Sequence, residues 1–103
     1  MTNTVEEGQY HYYLYTAHCN NCTIIVSLST IGTGDPDLYI GVGDQRLPTK
    51  SDHDIASATF KSEALEIDLT HKFFTTNRYK SLKGNYIIAV YGSKNSTYTL
   101  SVT

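Results

Sequence analysis

Hydrophobic and polar residues of this 103-residue chain alternate with a dominant period of two, which indicates strands rather than helices. The alternation predicts strands over residues 9–15, 23–29, 38–42, 56–61, 64–69, 84–92 and 98–102. The two strands on either side of Ser62 and Glu63 are predicted to pair as a hairpin. Residues 70–83 show no clear pattern. We therefore predict an all-β fold, an antiparallel β-sandwich of about seven to eight strands.

Size and charge narrow the classes of function. The length suits one compact domain, residues 1–103, and a net charge of −2 with no block of like charge leaves no basic patch for nucleic acid. No apolar run approaches the roughly 20 residues that cross a bilayer, so no membrane insertion is expected. No signal peptide is visible at the polar N-terminus. The alternatives are a cytosolic protein and a domain excised from, or repeated in, a longer extracellular protein, and we expect the second.

Cys19 and Cys22 are the two cysteines of the chain, and they lie between the first two predicted strands. A redox Cys-x-x-Cys pair normally begins a helix, and a structural zinc site needs a second pair of ligands. A local disulfide is therefore favoured, with free thiols and metal or redox chemistry as the alternatives.

Four aspartates form a candidate metal site. Asp35 and Asp37 flank Pro36, and Asp52 and Asp54 lie in a polar loop over residues 44–55. If the two segments fold side by side, their carboxylates suit Ca²⁺, which takes about six to eight oxygen ligands. The alternative is that these side chains stabilise turns through hydrogen bonds to the backbone. Calcium is thus the one candidate cofactor, and no other is expected.

The chain shows no recognisable catalytic motif. Neither Gly-x-Ser-x-Gly nor His-Glu-x-x-His occurs, so we predict no catalytic residues and no enzyme activity. Asn21 and Asn95 each begin an Asn-x-Ser/Thr sequence in a predicted turn. Both are candidate N-glycosylation sites, as expected of a secreted protein.

The first predicted strand is rich in tyrosine. Tyr10 and Tyr12 should point to one face of this strand, and Tyr13 and Tyr15 to the other. Either the strand is buried on both faces, or one set forms an exposed aromatic strip suited to contact with a glycan or a protein.

Several segments together resemble a known family. They are residues 34–40 (GDPDLYI), 84–92 (GNYIIAVYG) and 96–102 (STYTLSV), with the opening QYHYYLY of residues 9–15. In this order and spacing they resemble the bacterial pre-peptidase C-terminal domain. That module is a jelly-roll-like β-sandwich appended to secreted proteases, and it is similar to the collagen-binding domains of clostridial collagenases. The resemblance implies an accessory domain outside the cell.

We therefore expect a non-catalytic extracellular module that recognises a protein or glycan surface. The candidate surfaces are the first-strand tyrosines and the loops over residues 44–55 and 70–80. The alternatives are a structural subunit or repeat of an extracellular filament or surface coat that self-associates through edge strands, and an accessory or processing domain of a secreted protease.

Overall fold

The computed structural model describes residues 2–43, 46–57 and 63–103, and it shows two antiparallel sheets packed face to face. Its strands are β1 (Thr2–Val5), β2 (Tyr10–Ala17), β3 (Ile24–Ile31), β4 (Pro36–Val42), β5 (Ile55–Ser57), β6 (Glu63–Ile67), β7 (Gly84–Gly92) and β8 (Ser96–Val102). The first sheet has the order β1-β8-β3-β6, and the second has the order β2-β7-β4-β5. The predicted all-β sandwich is confirmed.

Side-chain alternation builds the core between the two sheets. In β3, Ile24, Val26 and Leu28 are buried, and Leu28 lies opposite Leu100 of β8. In β7 the burial extends to both faces, because Ile87 and Ala89 are buried as well as Tyr86, Ile88 and Val90. A strand buried on both sides has a continuous apolar sequence rather than a strict alternation.

The loop over residues 46–54 explains the second buried face, since it lies over the outside of the second sheet. His53 packs its ring against Tyr39, with 4.9 Å between the ring centroids. The loop is folded back on itself, because Thr49 and Asp52 form an isolated antiparallel bridge. The outer face of the second sheet is therefore partly covered by the loop that connects β4 to β5.

The predicted hairpin over residues 56–69 is wrong. β5 pairs with β4 in the second sheet, whereas β6 pairs with β3 in the first sheet. Residues 58–61 of the predicted strand, and Ser62 of its turn, lie outside the described residues. Alternation identifies the buried face of a strand but not its partner, because pairing in either sheet buries the same apolar side chains.

Two elements carry no period-two signal. β1 exposes Thr2, Asn3 and Thr4 and buries only Val5, so its pairing with β8 is not visible in its sequence. The second is α1 (Lys72–Thr76), a short helix between β6 and β7 that buries Phe74. No helix in the described ranges is long and apolar enough to span a membrane.

Candidate functional site

Two loops meet at one end of the sandwich and line an open pocket of about 440 Å³. One wall is the end of β4 with the loop that follows it, and the other wall is α1 with the residues after it. The lining residues are Gly41, Val42, Gly43, Arg46, Asp54, Phe73, Asn77 and Tyr79. Both loops that the sequence marked as candidate surfaces contribute to this pocket. Asp44, at the start of the first loop, lies outside the described residues.

The polar wall is held in place by Asp54. One of its carboxylate oxygens accepts a hydrogen bond from the Val42 backbone N–H at 2.8 Å, and the other accepts from Arg46 Nη2 at 3.0 Å. Arg46 Nη1 also donates to Asp52 at 2.6 Å. The guanidinium is thus paired with two carboxylates, and these three side chains together carry a charge of −1. These bonds use two of the five N–H donors of the Arg46 side chain.

The opposite wall is aromatic. Phe73 and Tyr79 lie 5.5 Å apart between ring centroids, and both rest against the buried ring of Phe74. Tyr79 is 44% exposed, so part of its ring faces solvent. Asn77 ends α1 by donating its side-chain N–H to the Phe73 carbonyl at 2.8 Å. Rings, a carboxamide and a charged pair therefore converge on one cavity.

The disulfide turn supports this end of the sandwich. Cys19 and Cys22 form a disulfide that closes the turn between β2 and β3. Within the turn, the Asn20 carbonyl accepts from Leu82 N–H at 2.9 Å, and Asn20 Oδ1 accepts from the Ser81 hydroxyl at 2.8 Å. The turn thus fixes the segment that leads from α1 into β7.

The four candidate calcium ligands are not brought together. Asp35 and Asp37 lie at the start of β4, whereas Asp52 and Asp54 surround Arg46 beyond its end. Val42, to which Asp54 is bonded, follows Asp37 by five positions along the strand, and this places it about 17 Å from Asp37. No group of three or more acidic, histidine or cysteine side chains in the described part of the chain could hold a metal.

Asp35 and Asp37 have a different setting at the far end of β4. The Asp35 backbone N–H donates to the Ser96 hydroxyl at 2.9 Å, and the Ser93 hydroxyl donates to the Asp35 carbonyl at 2.5 Å. Burial raises the pKa of the Asp37 carboxyl, and the neighbouring Asp35 carboxylate raises it further. The GDPD and STY motifs of the sequence thus bind one another across the sandwich.

The first-strand tyrosines divide as their alternation predicts. Tyr10 and Tyr12 lie on the outer face of the second sheet, with stacked rings 5.8 Å apart between centroids. The Lys50 backbone N–H donates to the Tyr10 hydroxyl at 3.0 Å, and Lys50 Nζ lies 5.2 Å from the centroid of the Tyr91 ring. Burial raises the pKa of the Tyr12 phenol, with a smaller contribution from Tyr10. Tyr10 therefore anchors the loop as well as belonging to the strip.

The other two tyrosines face inward. Tyr13 and Tyr15 pack against the core and so do not belong to an outer strip. The Tyr13 hydroxyl is hydrogen-bonded to the hydroxyl of the fully buried Tyr98, which also lies 3.1 Å from Nδ1 of His11. Burial raises the pKa of Tyr98, and the hydrogen bond with Tyr13 adds to this effect.

No protein-family model matches this chain, and no curated protein sequence is significantly similar to it. The proposed function therefore rests on the pocket and on the contacts between the motifs.

Both candidate glycosylation sites lie on the surface. Asn21 is exposed in the disulfide turn, and Asn95 is exposed in the turn before β8. Asn95 Oδ1 accepts from the Glu7 backbone N–H at 2.8 Å. Glycosylation at either residue stays a prediction.

The sequence did not single out the lining residues on the α1 side. Phe73, Asn77 and Tyr79 fall within the candidate surface loop over residues 70–80, but this segment has no period that distinguishes them from their neighbours.

Proposed function

We propose that this chain is a non-catalytic binding module of a larger extracellular protein, and that its end pocket holds a neutral sugar residue of a glycan. The observation that carries the proposal is the convergence of the Tyr79 and Phe73 rings with the Arg46–Asp54 pair on one cavity.

The size of the pocket favours a small ligand over a protein surface. A cavity of about 440 Å³ lies within the range of small-molecule sites. A stable protein partner would need roughly 800 Å² of contact on each side. The pocket therefore suits a single recognised group, such as one terminal sugar ring.

The chemistry of the walls favours a neutral polyol. Arg46 is already neutralised by two carboxylates, so the site does not call for an anionic ligand. The guanidinium fork and the Asp54 carboxylate place donors and acceptors side by side, as vicinal hydroxyls require. The exposed Tyr79 ring supplies an apolar platform for the C–H face of a sugar.

The extracellular setting is supported by the disulfide between Cys19 and Cys22, because such bonds persist in oxidising compartments. We also propose kinship with the pre-peptidase C-terminal domain, and hence a place beside a secreted protease. This is supported by the sandwich and by the hydrogen bond from the Asp35 backbone N–H to the Ser96 hydroxyl, which joins its GDPD and STY segments. Sequencing of the parent gene should therefore show a protease domain encoded next to this one.

Sugar binding is tested by following amide resonances during titration with neutral monosaccharides, alongside a glycan array. One sugar should shift the resonances of the pocket with a Kd of about 1 mM, which corresponds to about −4 kcal/mol. Tyr79→Ala should abolish this response, and Tyr79→Phe should retain most of it. The matched control Tyr12→Ala, on the outer strip, should bind as the parent does.

A titration in which no neutral sugar moves the pocket resonances would refute the proposal. Choline serves as the contrasting probe, because rings beside a site of charge −1 also suit a quaternary ammonium group. A response to choline without one to sugars would assign the pocket to cations instead.

A further inference from the structure

The four edge strands of the described sandwich are protected to different degrees. Natural sheets discourage unwanted pairing by keeping edge strands short or by placing charges and proline on them. β1 has four residues and β5 has three, and β6 presents the exposed Glu66. β2 has eight residues, Tyr10–Ala17, with no proline and no Lys, Arg, Asp or Glu. Only β2, among the described edges, combines length with the absence of charge.

The geometry of β2 also leaves its outer edge regular. Its register with β7 is unbroken from Tyr10 opposite Tyr91 to Ala17 opposite Gly84, so no bulge twists the edge away. Leu14 projects from this strand with 65% of its side chain exposed, the highest value among the large apolar residues of the described chain. A long edge without a bulge and with an exposed apolar side chain is the arrangement that pairs with another strand.

We propose that β2 is an assembly interface, on which the β2 strand of a second copy of this chain pairs antiparallel. The two copies of the second sheet would then form one continuous sheet across a two-fold axis, which is the usual symmetry of a homodimer.

The face of each side chain limits the register. Residues 10, 12, 14 and 16 of β2 point to the outer face of the sheet, and residues 11, 13, 15 and 17 point to the inner face. Two residues that lie directly opposite one another must point to the same face, so both are even-numbered or both are odd-numbered. The sum of their residue numbers is therefore even. Over residues 10–17, sums of 26 and 28 each allow seven pairs, centred on Tyr13 and on Leu14. In both registers no opposing pair contains Lys, Arg, Asp or Glu, and most pairs are aromatic or aliphatic, as stable cross-strand pairs are.

A second copy of the chain suits this edge, because two β2 strands can pair without electrostatic repulsion between acidic or basic side chains. A strand bearing several charges of one sign would repel a second copy of itself, whereas β2 has no Lys, Arg, Asp or Glu. A junction of two strands buries little area, so the association should be weak and should gain strength where copies are tethered in one longer protein.

Sedimentation velocity from about 10 µM to about 1 mM is the primary measurement, since this range covers weak dimers. The parent should change from monomer to dimer over this range. Leu14→Lys places a charge on the outward face of β2 and should weaken the dimer about tenfold or more. Ile31→Lys is the matched control, because Ile31 is 51% exposed on the outer face of the first sheet. It should dimerise as the parent does.

Hydrogen exchange of the unmodified chain provides a readout that does not depend on the variants. Amides of residues 10–17 should become more protected at the high concentration than at the low one, and the other edges should not change. A chain that stays monomeric at about 1 mM overturns the proposal. So does a dimer that leaves β2 exchange unchanged or that is weakened equally by Ile31→Lys. Protection of β2 by an added extended peptide, in a chain that remains monomeric, would assign the edge to a different partner.

Discussion

The Asp54 carboxylate accepts a hydrogen bond from the Val42 backbone N–H at 2.8 Å, where β4 ends and the pocket begins. The bond joins the far end of the covering loop to the strand from which that loop departs. The second carboxylate oxygen of Asp54 accepts a hydrogen bond from Arg46. The Asp54 side chain thus fixes both the backbone at the end of β4 and the polar wall of the pocket. Asp52, which also pairs with Arg46, makes its contact at the exposed tip of the loop.

Replacing Asp54 should therefore lower the free energy of unfolding much more than replacing Asp52. Asp54→Ala leaves the Val42 N–H without its partner and should lower the free energy of unfolding by about 1–3 kcal/mol. Asp52→Ala removes only an exposed ion pair, since its side chain is 60% exposed, and should cost less than about 1 kcal/mol. Urea unfolding of the two variants measures the difference. Equal losses would show that the Val42 bond is unimportant.

A second comparison concerns two glycines near the start of β4. Both have positive φ, +143° at Gly34 and +76° at Gly32. A Cβ on Gly34 would lie 2.6 Å from Ser96 Oγ and 3.0 Å from the Asn95 carbonyl oxygen, whereas a Cβ on Gly32 would meet nothing within 4 Å.

Gly32→Ala should accordingly lower the free energy of unfolding by only about 1–2 kcal/mol, because it places alanine in a left-handed backbone conformation without a steric clash. Gly34→Ala should lose about 3 kcal/mol or more, because it adds a steric clash to a backbone conformation that is almost confined to glycine. The measurement is thermal or urea unfolding of both variants. If the two losses match, the contact of the GDPD turn with Ser96 does not constrain the fold.

The third prediction concerns the dependence of stability on pH, because folding shifts the pKa values of two aspartates in opposite directions. The pKa of Asp37 is raised by burial and by Asp35, whereas hydrogen bonds from Thr70 lower the pKa of Asp68. Between its unfolded and folded pKa values, Asp37 holds more protons in the folded chain, so its contribution to stability falls as the pH rises through that window. Asp68 stabilises the fold above its unfolded pKa, and this contribution is lost as the pH falls through its folded pKa.

Asp37→Asn should thus raise the melting temperature at neutral pH, and Asp68→Asn should lower it. Both differences should shrink in acid, where the carboxyl groups are protonated in the folded and the unfolded chain alike. Melting curves from about pH 2 to pH 7 span the ordinary titration range of aspartate. Differences that are independent of pH would mean that the substitutions act through packing rather than through ionisation.

Much of the sandwich follows from local patterns. Ile24, Val26 and Leu28 alternate because one face of β3 meets the core, and the division of Tyr10 and Tyr12 from Tyr13 and Tyr15 has the same cause. Local patterns do not identify partners, and for that reason the hairpin over residues 56–69 was wrong. β1 was missed because its exposed polar residues gain their order from pairing with β8.

The candidate site was predictable only in part. Irregular polar loops mark the places where a sandwich carries function, so both walls of the pocket fall in predicted surfaces. That the loops meet was not predictable, since Arg46 and Tyr79 are brought together by the way each loop folds back on the sandwich. The structure does not bring the four candidate calcium ligands together for a related reason, because the two pairs of aspartates lie at opposite ends of one strand.

The amino-acid sequence by itself determined the all-β class, the buried face of most strands, and the closeness of Cys19 to Cys22, because each depends on residues a few positions apart. Tertiary structure alone decided which strands share a sheet, that α1 and the covering loop form one pocket, and that β2 remains an outer strand. These features depend on contacts between distant segments, whose free energy comes from burying a shared core and not from any single stretch of sequence.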